Sequence, residues 1–303
     1  MFMTPDQQDA KKGILLAISA YTMWGIAPIY FKALGAVSAL EILSHRVVWS
    51  FVLLAVLIHL GRRWRSVVGV VHTPRKFWLL LVTALLVGGG NWLIFIWSIN
   101  ANHMLDASLG YYINPLLNVL LGMLFLGERL RKLQWFAVAL AAIGVGIQLV
   151  VFGSVPIVAI SLATSFGFYG LLRKKIQVDA QTGLFLETLF MLPAAAIYLI
   201  WLADTPTSDM ALNTWQLNLL LVCAGVVTTL PLLCFTGAAA RLKLSTLGFF
   251  QYIGPSLMFL LAVLVYGEAF TSDKAITFAF IWSALVIFSV DGLKAGHAAR
   301  RAR

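Results

Sequence analysis

Residues 112–128 read YINPLLNVLLGMLFLGE, and residues 252–268 read YIGPSLMFLLAVLVYGE. Nine of the seventeen aligned positions are identical without a gap, and they include a Pro and the final Gly-Glu pair. Matching leucines are common between apolar helices, whereas a Pro and a Gly-Glu at the same separation are not. A second match aligns residues 17–32 with residues 159–174. The chain is therefore predicted to hold two copies of one unit, at 13–151 and 154–293.

The composition predicts that both units lie in a membrane. Of the 303 residues, 61% are hydrophobic and only 11% are charged, and the mean hydropathy is +0.91. Soluble domains carry about 25% charged residues. A formal net charge of +10 would suggest nucleic-acid binding in a soluble chain, but here the basic residues lie between apolar runs. No nucleic-acid partner is expected, and the basic loops are expected to contact lipid headgroups.

Ten segments of the chain are apolar and long enough to be predicted as membrane-spanning helices. A crossing helix needs about 20 largely apolar residues. The uncharged run 133–172 has twice that length and holds Gly153, Ser154 and Pro156, so two helices joined by a tight turn are expected there. The predicted segments are 13–31, 41–61, 77–98, 107–127, two within 133–172, 187–203, 215–239, 244–267 and 275–293.

The basic residues predict the orientation of these helices. Nineteen of the 22 Lys and Arg fall on one side of the predicted membrane, and Lys32, Arg46 and Lys274 on the other. Cytoplasmic loops carry an excess of Lys and Arg, so the tails 1–12 and 294–303 are both expected in the cytoplasm. Each unit then has five helices, and because five is odd the second unit starts from the opposite face. Such inverted repeats are typical of transporters with a central site near the bilayer midplane.

Amides, hydroxyls and aromatic rings within the predicted helices are the candidates for a substrate cavity. They suit an organic solute with a flat or amphipathic part better than a bare ion. The alternative is that the aromatic residues form interfacial belts and the polar ones only join helices. The predicted cavity residues are Trp24, Asn91, Trp92, Tyr111, Tyr112, Asn114, Phe166, Tyr169, Thr228, Phe249, Gln251 and Tyr252. Helix breaks are expected at Pro28, Pro115, Pro231 and Pro255, and the Gly-rich segment 88–90 is expected to bend or pack its helix closely.

Ionisable residues inside the predicted helices are further candidates. Arg46 and Glu187 occupy adjacent repeat positions, but inversion puts them near opposite faces. They are expected not to pair, and each is expected to extend toward its own membrane surface. Glu41 and His45 are four positions apart and can interact on one helix face.

Three further acidic residues lie at predicted helix ends. Glu128 and Glu268 follow glycines, and each is expected to cap the next helix rather than to form a site with the other. Asp106 is expected to stabilise the start of its helix. Cys223 and Cys234 are about 16 Å apart on one helix and too distant for a disulfide. No acid/base pair, catalytic triad, metal cluster or phosphate-binding loop stands out, so no cofactor is expected.

Four stretches resemble the RarD-type permeases of the drug/metabolite transporter superfamily, which are built from two EamA domains. They are EILSHRVVWS (41–50), GGNWLIFIWSIN (89–100), ASLGYYINPLLNVLLGMLFLGERLRKLQW (107–135) and STLGFFQYIGPSLMFLLAV (245–263). The resemblance covers the chain after residue 10. It implies a bacterial inner-membrane protein with ten helices in two inverted repeats. Tyr112 stands where relatives carry Phe, and Asp106 where they carry Glu. A family name that refers to chloramphenicol sensitivity does not establish a substrate.

The sequence thus predicts an all-α membrane protein that acts as a secondary transporter rather than an enzyme. Its partner is expected to be a small organic solute such as an amino acid, a metabolite or an amphipathic drug. Proton coupling and facilitated exchange both stay open, as does the oligomeric state. The alternative is a membrane enzyme acting on a lipid-linked substrate, for which the sequence offers only His45, His103 and Asp106 as scattered candidates.

Overall fold

The computed structural model describes residues 5–35, 37–95, 104–153, 157–202, 204–265 and 272–301, and in these ranges every regular element is a helix. Within these described ranges, seven helices are long and apolar enough to cross a membrane. They are Gln8–Ala33, Ala39–Leu60, Lys132–Val151, Ala180–Trp201, Trp215–Arg241, Leu244–Leu261 and Ala275–Gly292. The predicted all-α membrane class is confirmed.

Twelve α-helices and two π-helical segments make up the described chain. The α-helices are α1 (Pro5–Ala33), α2 (Ala39–Leu60), α3 (Trp64–Val71), α4 (Pro74–Ala84), α5 (Met104–Leu126), α6 (Lys132–Phe152), α7 (Ile157–Ile176), α8 (Ala180–Ile197), α9 (Trp215–Arg241), α10 (Leu244–Gln251), α11 (Ile253–Leu264) and α12 (Ser272–Arg301). The π-helix Leu85–Trp92 continues α4, and the π-helix Tyr198–Leu202 continues α8.

Short polar side chains fix where several helices begin. The side chains of Ser38, Asp179 and Thr214 accept hydrogen bonds from backbone N–H groups in the first turns of α2, α8 and α9. Such N-caps satisfy donors that have no partner within the helix. At the other end, α6 stops at Gly153, whose φ of 73° is the left-handed conformation that glycine adopts without strain.

The expected helix breaks at three prolines are wrong. Helices α1, α5 and α9 continue through Pro28, Pro115 and Pro231. A proline removes one N–H donor and clashes with the preceding turn, but neighbouring helices compensate for this in membrane proteins. Near Pro255 the chain does break, but at Tyr252, between α10 and α11. The predicted bend at 88–90 lies inside the first π-helix, where the turn is wider than in an α-helix.

Helix α3 was not predicted, because its basic segment was taken as a cytoplasmic loop. Apolar residues recur along it at helical spacing, and Val67 and Val70 are buried. This amphipathic pattern lets a short helix lie on the end of the bundle.

The first and second halves of the chain pack against each other along most of their helices. Helix α1 lies along α9 and α11, α2 along α8 and α9, α5 along α7 and α10, and α6 along α12. The first π-helix packs on α7, and α4 packs on α7 and α8. Large apolar side chains also point outward; Leu124, Val150 and Val286 are 68%, 81% and 62% exposed. Outward apolar surface of this kind suits contact with lipid.

Candidate functional site

Four aromatic residues from three helices form a cluster inside the bundle. Trp24 on α1 lies 5.8 Å from Phe166 on α7 and 5.8 Å from Phe235 on α9, measured between ring centroids. Tyr169 stacks on Phe235 at 5.8 Å and is fully buried, whereas Trp24 and Phe166 are half-buried. The structure therefore brings three predicted cavity residues together. Phe235 was missed, although its position one helical turn after Pro231 could have indicated it.

Tyr21 adds a buried hydroxyl to this aromatic cluster. Its ring lies 5.7 Å from that of Trp24, and its hydroxyl has no hydrogen-bond partner among the described residues. A buried polar group without a partner is unusual. The hydroxyl can therefore bind a water molecule or a solute.

Arg46 forms a second group with residues from both halves of the chain. Its Nε donates a 2.8 Å hydrogen bond to Oγ1 of Thr228 on α9. Its guanidinium carbon lies 4.5 Å from the Trp92 ring centroid and 5.6 Å from that of Phe31. None of these partners was predicted. Helix α2 turns this face toward α9, so the side chain of Arg46 enters the bundle. Its extension toward its own membrane surface stays a prediction.

Tyr111 belongs to the same region as Arg46. It interacts electrostatically with the guanidinium, and its ring lies 6.0 Å from that of Phe95. Arg46, Trp92 and Tyr111 are all half-buried, although they lie between packed helices. The structure therefore gathers Trp92, Tyr111 and Thr228 around a cation that was not among the predicted cavity residues.

The predicted amides join helices. Asn114 donates to the Ala163 carbonyl at 2.6 Å, and Asn118 donates to Asn114 Oδ1 at 3.0 Å and to Gln251 Oε1 at 3.1 Å. This chain of amides connects α5 to α7 and to α10. The alternative interpretation, that such amides hold helices together, describes these contacts.

Asn91 also makes contacts between helices. Its amide donates to the Leu162 carbonyl at 2.9 Å and to Ser165 Oγ at 3.0 Å. These two bonds connect the first π-helix to α7.

The predicted cavity residues Tyr112, Phe249 and Tyr252 lie in a separate apolar region. Phe249 stacks on Phe288 of α12 at 3.8 Å, and both Phe249 and Tyr252 are buried. Tyr112 packs edge-on against Phe278 at 5.9 Å. Packing against α12 occupies these rings, so they support the wall formed by α5 and α10.

Glu187 and Arg173 form a buried ion pair. Glu187 Oε1 lies 3.6 Å from Arg173 Nη1 and accepts a 2.6 Å hydrogen bond from the Thr83 hydroxyl. The Tyr169 hydroxyl donates to its other oxygen at 3.4 Å. A Cβ at Gly183 would collide with the guanidinium, so this glycine makes room for the pair.

Glu187 was predicted to extend toward its own membrane surface and Arg173 to lie among the cytoplasmic basic residues, so the pair between them was not predicted. Their side chains are only 5% and 2% exposed, for Glu187 and Arg173 respectively. Arg173 begins a run of three basic residues, and such a run is typical of an exposed cytoplasmic loop, so nothing in the sequence indicated that Arg173 is buried. The expectation that Glu187 does not pair with Arg46 agrees with these contacts.

The remaining predicted acids have other partners. Glu128 accepts from the backbone N–H groups of Leu244 and Ser245 at 2.6 and 3.0 Å and from the Ser245 hydroxyl at 2.6 Å. It therefore caps α10, in the other half of the chain, and the prediction that it caps the next helix, α6, is wrong because α10 packs against this end of α5. Glu41 accepts from Thr205 and Thr207 at 2.5 and 2.9 Å.

His45 accepts a 3.3 Å hydrogen bond from Trp49 Nε1, while its own Nε2 is buried without a partner. His103, Glu268 and the side chain of Asp106 lie outside the described residues. Within the described ranges, no three His, Cys, Asp or Glu side chains come close enough together to hold a metal ion.

Known proteins resemble the chain over its whole length. The model of the EamA-like transporter family matches residues 11–150. An "Uncharacterized transporter" of Vibrio cholerae serotype O1 is 99% identical over 303 residues, which is 100% of both chains. Protein RarD of Salmonella typhimurium is 62% identical over 288 residues, covering 95% of this chain and 98% of that protein. A solved crystal structure of a protein with 20% identity has a TM-score of 0.69 and covers 91% of this chain and 96% of that chain, so the two share a fold.

Proposed function

Since this chain is a membrane transporter that belongs to the EamA-like family of the drug/metabolite transporter superfamily, we propose that it moves a small organic solute by alternating access. The proposal places the chain in the bacterial inner membrane, with both termini in the cytoplasm. The observation that carries it is the half-buried group of Arg46, Trp92 and Tyr111 between the two halves of the chain. Polar and aromatic groups that stay accessible between packed helices are what a solute pathway needs.

Ten membrane-spanning helices in two inverted repeats, 13–151 and 154–293, are part of the proposal. The pattern of helix packing supports it. A two-fold relation exchanges α1 with α7, α2 with α8, α4 with α9, α5 with α10 and α11, and α6 with α12. Under this exchange the pairs α2–α8, α5–α10 and α6–α12 are unchanged. The pairs α1–α9, α1–α11 and α2–α9 become α7–α4, α7–α5 and α8–α4. All of these pairs are in contact, as a two-fold relation between the halves requires.

The predicted cavity residues divide into two roles in this proposal. Trp24, Trp92, Tyr111, Phe166 and Thr228 line the solute pathway next to Arg46. The other set joins helices through its hydrogen bonds and ring packing and so holds the walls of the pathway: Asn91, Tyr112, Asn114, Tyr169, Phe249, Gln251 and Tyr252. The contacts of each set support this division.

The described conformation is proposed to be open toward the outside. Several contacts close the end of the bundle that basic residues assign to the cytoplasm. Glu128 caps α10 there, the Lys174 ammonium donates to the backbone carbonyls of Ala239 and Leu242, and Arg241 pairs with Asp9. Arg46 lies toward the other end. Rocking of one half against the other would break the first set of contacts and cover Arg46.

Glu187 is the candidate for proton coupling. It is a buried acid that contacts both Arg173 and Thr83, and intramembrane acids of this kind serve as proton relays in transporters. Facilitated exchange is the other mode of the proposal, and it needs no titration of Glu187. Neither mode involves a bound cofactor. For an enzyme acting on a lipid-linked substrate, His45 is the only candidate whose side chain is described, and its described hydrogen bond is with Trp49.

Solute flux into proteoliposomes tests the proposal. We expect purified full-length chain to move at least one labelled solute from a panel of amino acids, nucleobases and amphenicol drugs faster than empty vesicles. Trp24→Ala is expected to lower that flux about tenfold or more, because it opens the aromatic cluster. Trp78→Ala, on a side chain that is 61% exposed, is the control and should leave the flux unchanged. Absence of flux above empty vesicles across the panel would contradict the proposal.

A further inference from the structure

Arg46 enters the bundle without an acidic partner among the described residues. The ion pairs that join those residues use Arg63, Arg131, Arg173 and Arg241. The described partners of Arg46 are instead the Thr228 hydroxyl, the faces of Trp92 and Phe31, and the tyrosines Tyr30 and Tyr111, with which it interacts electrostatically. A guanidinium taken out of water is costly unless a counter-charge or several hydrogen bonds compensate it.

Arg173 is an internal comparison within the same bundle. It is buried too, but it lies 3.6 Å from the Glu187 carboxylate. Arg173 therefore behaves as a structural arginine with its own counter-ion. Arg46 is half-buried and has no counter-ion in the described chain. This is expected of an arginine whose counter-ion is a solute that binds from solution.

The contacts of Arg46 leave one edge of its guanidinium free. Nε is used by Thr228, whereas no hydrogen bond from Nη1 or Nη2 to a described residue is present. These two terminal nitrogens form a planar fork that matches the two oxygens of a carboxylate. The Trp92 ring lies 4.5 Å from the guanidinium carbon, within the range of a cation–π contact.

The surroundings suit a monoanion with a flat apolar part. Phe31 and Trp92 supply aromatic surface beside the fork, and flat solutes pack well on such faces. A single guanidinium balances one negative charge, which fits a carboxylate better than a doubly charged phosphate. No carboxylate of the described chain stands beside the fork to attract an ammonium group.

The geometry points to Arg46 as the binding residue for the carboxylate of an aromatic organic acid. This inference rests on the proposed transport function and names the substrate class of the same site. Thr228 is a positioning residue, because it holds Nε and leaves the terminal nitrogens to the solute.

Calorimetric binding to the purified full-length chain tests the inference. The probes are benzoate, phenylacetate and indole-3-acetate, each compared with its neutral amide, and inorganic phosphate. We expect at least one carboxylate to bind about tenfold or more tightly than its amide, and phosphate not to compete. One charge-assisted pair supports a difference of this size.

Four variants separate the contributions to binding. Arg46→Gln should weaken carboxylate binding about tenfold or more and leave amide binding unchanged. Arg46→Lys keeps the charge but loses the fork, so an intermediate loss is expected. Thr228→Val should cost a few-fold only. Arg63→Gln, at an exposed guanidinium that pairs with Asp179, is the matched control and should bind as the original chain does. Thermal unfolding of each variant shows that it is folded.

The outcomes keep this inference distinct from the transport proposal. Equal binding of carboxylates and amides, no binding of any of the three acids, or unchanged binding by Arg46→Gln would overturn the inference, even if another solute is transported. Carboxylate binding that depends on Arg46, without flux in proteoliposomes, would support the inference and count against transport. Tighter competition by phosphate than by the acids would overturn the carboxylate assignment.

Discussion

The hydroxyl of Tyr252 donates a 3.3 Å hydrogen bond to the backbone carbonyl of Tyr112, although 140 positions separate the two residues. These are also the tyrosines that coincide when the chain is aligned with itself. Equivalent positions of two repeats meet only near the axis that relates the repeats. The contact therefore supports the proposed two-fold relation and locates its axis between α5 and α10.

Labelling of two equivalent loops tests whether the repeats are inverted. The exposed Arg65 lies between α2 and α4, and the exposed Ala211 lies between α8 and α9, the matching place in the second repeat. In a chain with Cys223→Ala and Cys234→Ala, we expect a membrane-impermeant maleimide to label Ala211→Cys in intact cells. Arg65→Cys should react only after permeabilisation. Labelling of both from the same side would mean parallel repeats.

The Glu187–Arg173 pair should contribute strongly to stability. Glu187→Gln leaves the buried guanidinium without a counter-charge, so we expect a loss of about 3 kcal/mol in the free energy of unfolding. The double variant Arg173→Met, Glu187→Leu removes both charges and should recover much of that loss. Thermal unfolding in detergent measures both. If the double variant loses as much free energy of unfolding as the two single variants added together, the two charges do not act as a pair.

Glu128 should stabilise the contact between the halves at the start of α10. Glu128→Ala removes the acceptor of three hydrogen bonds, and loss of such a cap costs about 1–2 kcal/mol. Arg129→Gln changes the exposed neighbouring residue and serves as the control. Denaturation midpoints of the two variants should differ clearly. The cap assignment fails if they coincide.

The cap of α8 should make stability depend on pH. Burial alone raises the pKa of Asp179, but hydrogen bonds from Thr182 and Ser66 and the Arg63 guanidinium together lower it below the ordinary value. A lowered folded-state pKa stabilises the fold above the unfolded pKa, about 3.9, and this contribution is lost as pH falls through the folded value.

Asp179→Asn should therefore destabilise the chain at pH 7 and have a progressively smaller effect below about pH 4. Melting temperatures measured across this range check the trend. The exposed Asp204→Asn is the control. An effect of Asp179→Asn that grows toward acid pH would contradict the stated sign.

The membrane class could be predicted from the sequence because charge-free runs match the thickness of the bilayer and basic residues concentrate in the cytoplasmic loops between them. Capping by Glu128 was also predictable, since an acid after a helix-ending glycine is positioned to cap. Which helix it caps was not, because α10 lies 116 positions away.

The direction of Arg46 could not be predicted in the same way. Depth in the membrane is encoded locally, but the face that α2 turns toward α9 is set by packing between distant segments. For the same reason Arg173 could not be distinguished from Lys174 and Lys175, its basic neighbours. Breaks were predicted at prolines 28, 115 and 231 because the compensation by neighbouring helices has no signature in the sequence.

The π-helix that ends at Trp92 has a mechanical consequence. The hydrogen bonds of a π-helix span five residues instead of the four of an α-helix, so each turn holds more residues. Such segments are frequent at functional sites. If the segment rewound by one residue, every side chain beyond it would rotate by roughly 100° about the helix axis. Trp92 would then swing off the Arg46 guanidinium, so a change in winding of a few backbone hydrogen bonds could uncover a positive charge without any helix unfolding.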